Sequence, residues 1–129
     1  MALALDTNCL LRWLVRDVPE QTAVIDDLLK RERVHVADLA IAETVWVMKR
    51  YYHISDETIA ISIARIIQHD KINCNRTLFN NVLGDMNTSP KVSFVDTCLA
   101  HYAQLGEAKL LTFDDTLAKK FPRMTKLAA

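Results

Sequence analysis

The sequence predicts an α/β fold built on a mostly parallel sheet with helices covering both faces. Three observations carry this. Short apolar or β-branched runs alternate along the chain with longer segments of helical period, the signature of βαβ units. Half of the 129 residues are hydrophobic, enough for a full core. Only two glycines and three prolines occur, so connections are short, and no linker, internal repeat or low-complexity segment divides the chain. A single domain spanning residues 1–129 is expected.

The elements follow in order. Residues 2–5 form a short apolar strand that stops at Asp6, and residues 9–15 a helix with Leu10, Leu11, Leu14 and Val15 inward. Pro19 suits the first turn of a second helix, whose apolar face is read as Ala23, Val24, Leu28 and Leu29 and whose end is Arg31-Glu32-Arg33. Residues 34–36 are a β-branched strand. Asp38 is placed to cap a third helix with Ile41, Val45, Met48 and Tyr52 on one stripe, and Glu43 one turn in. Ser55 caps a fourth, with Asp56 and Glu57 favourable to its dipole and Ile59, Ile63, Ile66 and Ile67 buried. Residues 71–74 read as a strand and 77–86 as a helix with Phe79, Val82, Leu83 and Met86 inward. Asn87-Thr88-Ser89-Pro90 breaks it. Residues 93–105 form a helix with Val95, Leu99, Tyr102 and Ala103 on one side, stopped by Gly106 as a C′ glycine. Residues 109–112 are a strand, 116–120 a short helix, and 124–127 an edge strand.

Lys plus Arg equals Asp plus Glu, 16 each, so the net charge is zero. This argues neither for nor against nucleic acid, since an enzyme that holds its substrate through metal ions needs no basic excess. Cys9, Cys74 and Cys98 have no zinc or redox spacing and provide no disulfide framework. Cys9 and Cys98 read as buried reduced thiols, which fits a reducing cytoplasm. The first apolar run is five residues long with no basic region before it, so neither a signal peptide nor a membrane span is read. The four histidines have no ligand spacing.

In a parallel sheet with right-handed crossovers, the carboxyl ends of the strands and the starts of the following helices share one edge, where ligands gather. Asp6 and Asp114 directly follow strands, and Glu43 and Asp96 lie near helix starts. Four carboxylates converging without a partner would repel one another. A divalent cation resolves this, and oxygen-only ligands suit Mg²⁺ or Mn²⁺ rather than Zn²⁺. Such a metal lowers the pKa of a bound water and stabilises a leaving oxygen, so the natural reaction is phosphodiester hydrolysis.

These stretches carry a family resemblance over nearly the whole chain. Leu5-Asp6-Thr7-Asn8-Cys9-Leu10-Leu11-Arg12 resembles the opening motif of PIN-domain ribonucleases. Ala42-Glu43-Thr44-Val45-Trp46-Val47-Met48 resembles the second, Phe94-Val95-Asp96-Thr97-Cys98-Leu99-Ala100 the third, and Leu111-Thr112-Phe113-Asp114 the fourth. Size and motif style are most similar to the VapC toxins of type II toxin–antitoxin systems. The resemblance implies a three-layer α/β/α sandwich with a central, mostly parallel sheet. It implies a Mg²⁺- or Mn²⁺-dependent endoribonuclease with Asp6, Glu43, Asp96 and Asp114 as catalytic metal ligands. Asn8 and Thr112 would orient carboxylates or water; apart from what the resemblance implies, Asp115, next to Asp114, could supply an extra ligand. It also implies an RNA substrate, a cognate antitoxin, and a homodimer or a hetero-oligomer with that antitoxin, away from any membrane. Many relatives carry a further acidic residue where this chain has Ser93.

Simpler roles stand beside these. Asp6 could serve as a helix cap, Asp96 as a first-turn dipole partner and Glu43 as a solvated helix residue, although Ala42 and Trp46 suggest a packed face around it. Of Asp114 and Asp115, spacing from Thr112 favours Asp114 as the ligand and leaves Asp115 to cap the last helix. Trp13 and Trp46 read as core or dimer-interface residues rather than base-stacking platforms. Arg12, Lys119 and Lys120, with Arg123 and Lys126 in the tail, are candidates for phosphate contact or ordinary solvated cations. Two other functions compete. A haloacid-dehalogenase-type phosphatase needs a second Asp where Asn8 stands. A non-catalytic PIN-like module that binds RNA or protein has no need of four clustered carboxylates.

Overall fold

The computed structural model describes residues 2–129. The backbone divides into two compact units, Met1–Asn75 and Arg76–Ala129. The first runs β1 (Leu3–Ala4), α1 (Thr7–Val15), α2 (Pro19–Arg31), β2 (Val34–His35), α3 (Asp38–Arg50), α4 (Asp56–Gln68) and β3 (Ile72–Asn73). Its three strands pair in the order β1-β2-β3, all parallel, with Leu3 opposite Val34 and Val34 opposite Ile72. Parallel neighbours need crossovers, and the helices between successive strands provide them.

The helices of this unit bury the stripes that their spacing dictates. On α1 these are Leu10, Leu11, Trp13 and Leu14; on α3, Ile41, Thr44, Val45 and Met48; on α4, Ile59, Ser62, Ile63, Ile66 and Ile67. α1 packs on α2 and α3, and α3 on α4. Each fully buried Leu or Ile contributes about 1.5–3 kcal/mol relative to exposure. Trp13 is core, with the Arg65 guanidinium 4.6 Å from its ring centre and His69 edge-on. Ser55 caps α4 as expected, accepting the Thr58 N–H at 3.2 Å.

Two readings in this unit need correction. The buried face of α2 is Thr22, Ile25 and Leu29, while Ala23 and Val24 face solvent. Thr22 goes inward because its hydroxyl donates to the Arg12 carbonyl at 2.7 Å, which rotates the helix away from the face that hydrophobicity alone selects. Asp38 does not cap α3. It is the first helical residue, and Ala37 holds the cap position without a side-chain bond.

The second unit runs α5 (Arg76–Asp85), α6 (Phe94–Leu105), β4 (Leu110–Thr112), α7 (Asp115–Lys120) and β5 (Thr125–Leu127). β4 and β5 pair in parallel, Leu111 opposite Lys126, so the expected tail strand forms. Ala100, Leu117 and Phe121 make its buried cluster, flanked by Val92, Leu110 and Met124, and Phe79 stacks on Phe94. His101 is buried against Phe121, with Nε2 2.5 Å from an Asp85 carboxylate oxygen. The face of α6 differs from expectation. Thr97, Cys98, Ala100 and His101 are inward, whereas Val95, Leu99 and Tyr102 are nearly half exposed. The His101–Asp85 pair and the Thr97 bond to the Ser93 carbonyl turn the polar residues in. After α6 the left-handed backbone falls on Glu107 (φ 58°) rather than on Gly106 (φ −86°), so that glycine is not used for its conformational freedom.

Candidate active site

Asp6 stands two residues past β1 in extended backbone, and its Oδ1 accepts the Cys9 N–H at 2.8 Å as the N-cap of α1. The helix therefore begins at Thr7, not at residue 9. That hydrogen bond, with the Asn8 N–H alongside, holds the Asp6 carboxyl below its ordinary value, because a carboxylate accepting backbone N–H groups is favoured in its charged form. Burial, together with the Asp6 carboxylate beside it, pushes the Cys9 thiol up.

Glu43 is exposed on α3, so the packed surroundings inferred from Ala42 and Trp46 are not found; Trp46 itself is 51% exposed and is not a core residue. A cleft of about 360 Å³ brings Glu43 together with Asp6, lined also by Thr7, Asn8, Leu11, Val47 and Tyr51. A second cleft of about 310 Å³ shares Asp6 and Asn8 and continues to Cys9, Arg12, Gln21, Val24 and Ile25. Asp6 and Asn8 therefore border both. The sequence singles out neither Tyr51 nor Gln21. Each lies on an otherwise unremarkable helical segment, and only packing brings it to a cleft.

Asp96 and Asp114 belong to the second unit. Ser93 caps α6, its Oγ accepting the Asp96 N–H at 3.0 Å, so the residue at the departing motif position fixes the backbone of the motif aspartate. Asp114 caps α7 by accepting the Leu117 N–H at 3.1 Å, and the Thr112 hydroxyl accepts the Asp114 N–H at 2.9 Å. The cap is thus Asp114 and not Asp115. Asp115 lies in the first turn and pairs with Lys119 at 2.8 Å, which raises the Lys119 pKa.

The cations named from the sequence have internal duties. Arg12 donates to the Tyr52 hydroxyl at 2.8 Å and pairs with Asp17 at 3.2 Å, its side chain 16% exposed. Lys120 donates to the carbonyls of Asp85 and Thr88, at 3.1 and 2.9 Å. Their partners lie more than thirty positions away in sequence, or, for Asp17, across the end of α1. Among the described residues, no three Asp, Glu, His or Cys side chains stand close enough to hold one ion. The donor chemistry at the first cleft, two carboxylates with the Asn8 amide and the Thr7 hydroxyl, nonetheless suits a hard cation such as Mg²⁺.

Parallel strands joined by helical crossovers, with Asp6 and Asp114 just beyond strand ends, make the chain an α/β protein. The family comparison is specific: the PIN domain model matches residues 3–122, and the chain belongs to the PIN domain family. This carries with it the α/β/α class read from the sequence. PIN domains are generally nucleases and typically depend on a divalent metal. No curated protein and no solved structure matches the chain. No helix among the described residues is long and apolar enough to cross a membrane.

Proposed function

We propose that this chain is a Mg²⁺- or Mn²⁺-dependent endoribonuclease that hydrolyses RNA phosphodiester bonds, and that it is the toxin of a toxin–antitoxin pair acting in the cytoplasm. The observation that supports the nuclease reading best is Asp6 and Glu43 on one cleft, in a chain whose family match runs through all four acidic motifs. In this reading Asp6, Glu43, Asp96 and Asp114 supply the ligands. The cation, when bound, contributes Lewis-acid polarisation, a lowered pKa for water and charge stabilisation of the leaving oxygen.

The chain's own residues prepare the carboxylates. Capping fixes the Asp6 carboxylate against the start of α1 and favours its charged form, the form that meets a cation. Thr112 and Ser93 fix the backbone at Asp114 and Asp96, the support that residues around a metal site give its ligands. Asn8 borders both clefts and can orient water or a phosphate oxygen there. The toxin reading, the cognate antitoxin and the homodimer rest on the motif style. They are tested by co-purification and by growth arrest on expression of the chain alone.

The test of function is incubation of the purified chain with a pool of transfer, ribosomal and messenger RNA in Mg²⁺, in Mn²⁺ and in chelator. Internal cuts that need metal are expected. Cuts that survive chelation, or an intact pool in both metals, would overturn the reading.

A further inference from the structure

The second motif carries more than Glu43. On α3 the residues Glu43, Trp46, Val47 and Arg50 fall at i, i+3, i+4 and i+7, one face of the helix. Tyr51, the C-cap residue, extends that face. Trp46 and Tyr51 are 51% and 66% exposed, and their rings meet edge to face with centroids 5.6 Å apart and planes at 76°. The Arg50 guanidinium stands 6.0 Å from the Trp46 ring centre. The neighbouring cation, Lys49, is paired with Asp56 at 3.1 Å, whereas Arg50 has no carboxylate partner among the described residues. Tyr51 lines the same cleft as Asp6 and Glu43.

Two large exposed aromatics in contact, beside a guanidinium with no carboxylate partner among the described residues, make a contiguous exposed patch of the kind that marks a binding surface. The cleft chemistry decides which ligand. Single-stranded nucleic acid is held by aromatic faces on which unpaired bases stack and by arginines that reach the backbone. We propose that Trp46 and Tyr51 form a stacking subsite for one unpaired nucleobase of the RNA, with Arg50 on its phosphate, one nucleotide along the strand from the Asp6–Glu43 cleft. This rests on the nuclease reading for the identity of the strand and adds where the strand is gripped. It also gives a role to Trp46, which the sequence reads as a core or dimer-interface residue and the structure places at the surface.

The test separates base from backbone and binding from cleavage. The full chain is titrated in chelator, where nothing is cut, with a short oligoadenylate and with an abasic oligomer of the same length. Tryptophan fluorescence reports binding, because Trp13 is buried and Trp46 is not. The wild type is expected to bind the oligoadenylate with quenching of Trp46 and the abasic oligomer more weakly. Tyr51→Ala is expected to weaken oligoadenylate binding by at least about fivefold, the low end for loss of one base–aromatic stack. It should leave abasic binding unchanged, and Tyr51→Phe should restore wild-type affinity. Arg50→Gln should weaken both oligomers alike.

Equal affinity of wild type and Tyr51→Ala for oligoadenylate overturns the subsite, as does equal loss for both oligomers. Self-association that Tyr51→Ala abolishes while RNA binding is unchanged overturns it in favour of a protein interface. Cleavage is assayed separately. A chain that binds bases through Tyr51 but never cuts refutes the nuclease reading and keeps the subsite; one that cuts regardless of Tyr51 does the reverse.

Discussion

Replacing Asp6 by alanine and by asparagine separates two duties of one side chain. Its Oδ1 caps α1 through the Cys9 N–H at 2.8 Å, and its charge is assigned to the cation. Alanine removes both. Losing an N-cap acceptor costs typically about 1 kcal/mol. α1 carries Leu10, Leu11, Trp13 and Leu14 into the core, so fraying at its start is felt as lost stability of the fold. Asparagine keeps an acceptor of equal capping quality and loses only the favourable meeting of an anion with the helix N-terminus, about 0.3 kcal/mol at an exposed position. Asp6→Ala should therefore unfold at lower urea by about 1 kcal/mol, near 4 °C in melting temperature for a chain of this size. Asp6→Asn should lie within about 0.5 kcal/mol of wild type. Urea unfolding followed by circular dichroism measures both, with equal slopes required for the comparison. Asparagine as damaging as alanine, or alanine without effect, would refute the assignment of Asp6 as a working cap.

Other outcomes follow from the same geometry. Ile66→Ala, at a fully buried position, should cost about 2–5 kcal/mol in the same unfolding assay. The Arg16 guanidinium binds both oxygens of Asp26, at 3.1 and 2.6 Å, and that hydrogen bonding holds the Asp26 carboxyl below its ordinary value. A depressed folded pKa gives stability that is present above the unfolded pKa, about 3.9, and is lost as pH falls through the folded value. Both side chains are a third or more exposed, so Asp26→Asn should cost only about 0.5 kcal/mol at neutral pH, and the gap should close as pH falls through the folded value. Thr112→Val removes the acceptor of the Asp114 N–H and should lower cleavage by about tenfold, with Thr112→Ser restoring it. Lys119→Ala should leave the unfolding midpoint unchanged in the same assay, since its partner Asp115 is one helical turn away and both are exposed to screening solvent.

The elements were legible because period, caps and breakers act locally. Ser55, the isoleucine stripe of α4 and the β-branched strands needed nothing beyond neighbours in sequence. The misread faces had another cause. On α2 and α6, polar residues turned inward to bonds that hydrophobicity does not reveal: Thr22 to the Arg12 carbonyl, His101 to Asp85. Candidate site positions were legible as chemistry but not as geometry. Asp6 and Asp114 each cap a helix while standing at a motif position, and a single letter cannot say which duty it performs or that it performs both. The bond from Arg12 to the Tyr52 hydroxyl, forty residues on, is likewise not visible in the sequence. For Trp46 the spacing leaves core and dimer interface both open; its exposure follows from Thr44, Val45 and Met48 taking the inner face of α3.

The most direct test of the central claim compares wild type with Asp6→Asn on one RNA substrate in Mn²⁺, after unfolding curves have shown the two equally folded. Asparagine preserves the cap and removes the charge. The account predicts metal-dependent internal cleavage by the wild type and a rate lower by at least about 100-fold in the variant, more than the loss of a group that merely supports a metal ligand. Equal rates in the two proteins would contradict it, because the Asp6 carboxylate would then be a helix cap and nothing more.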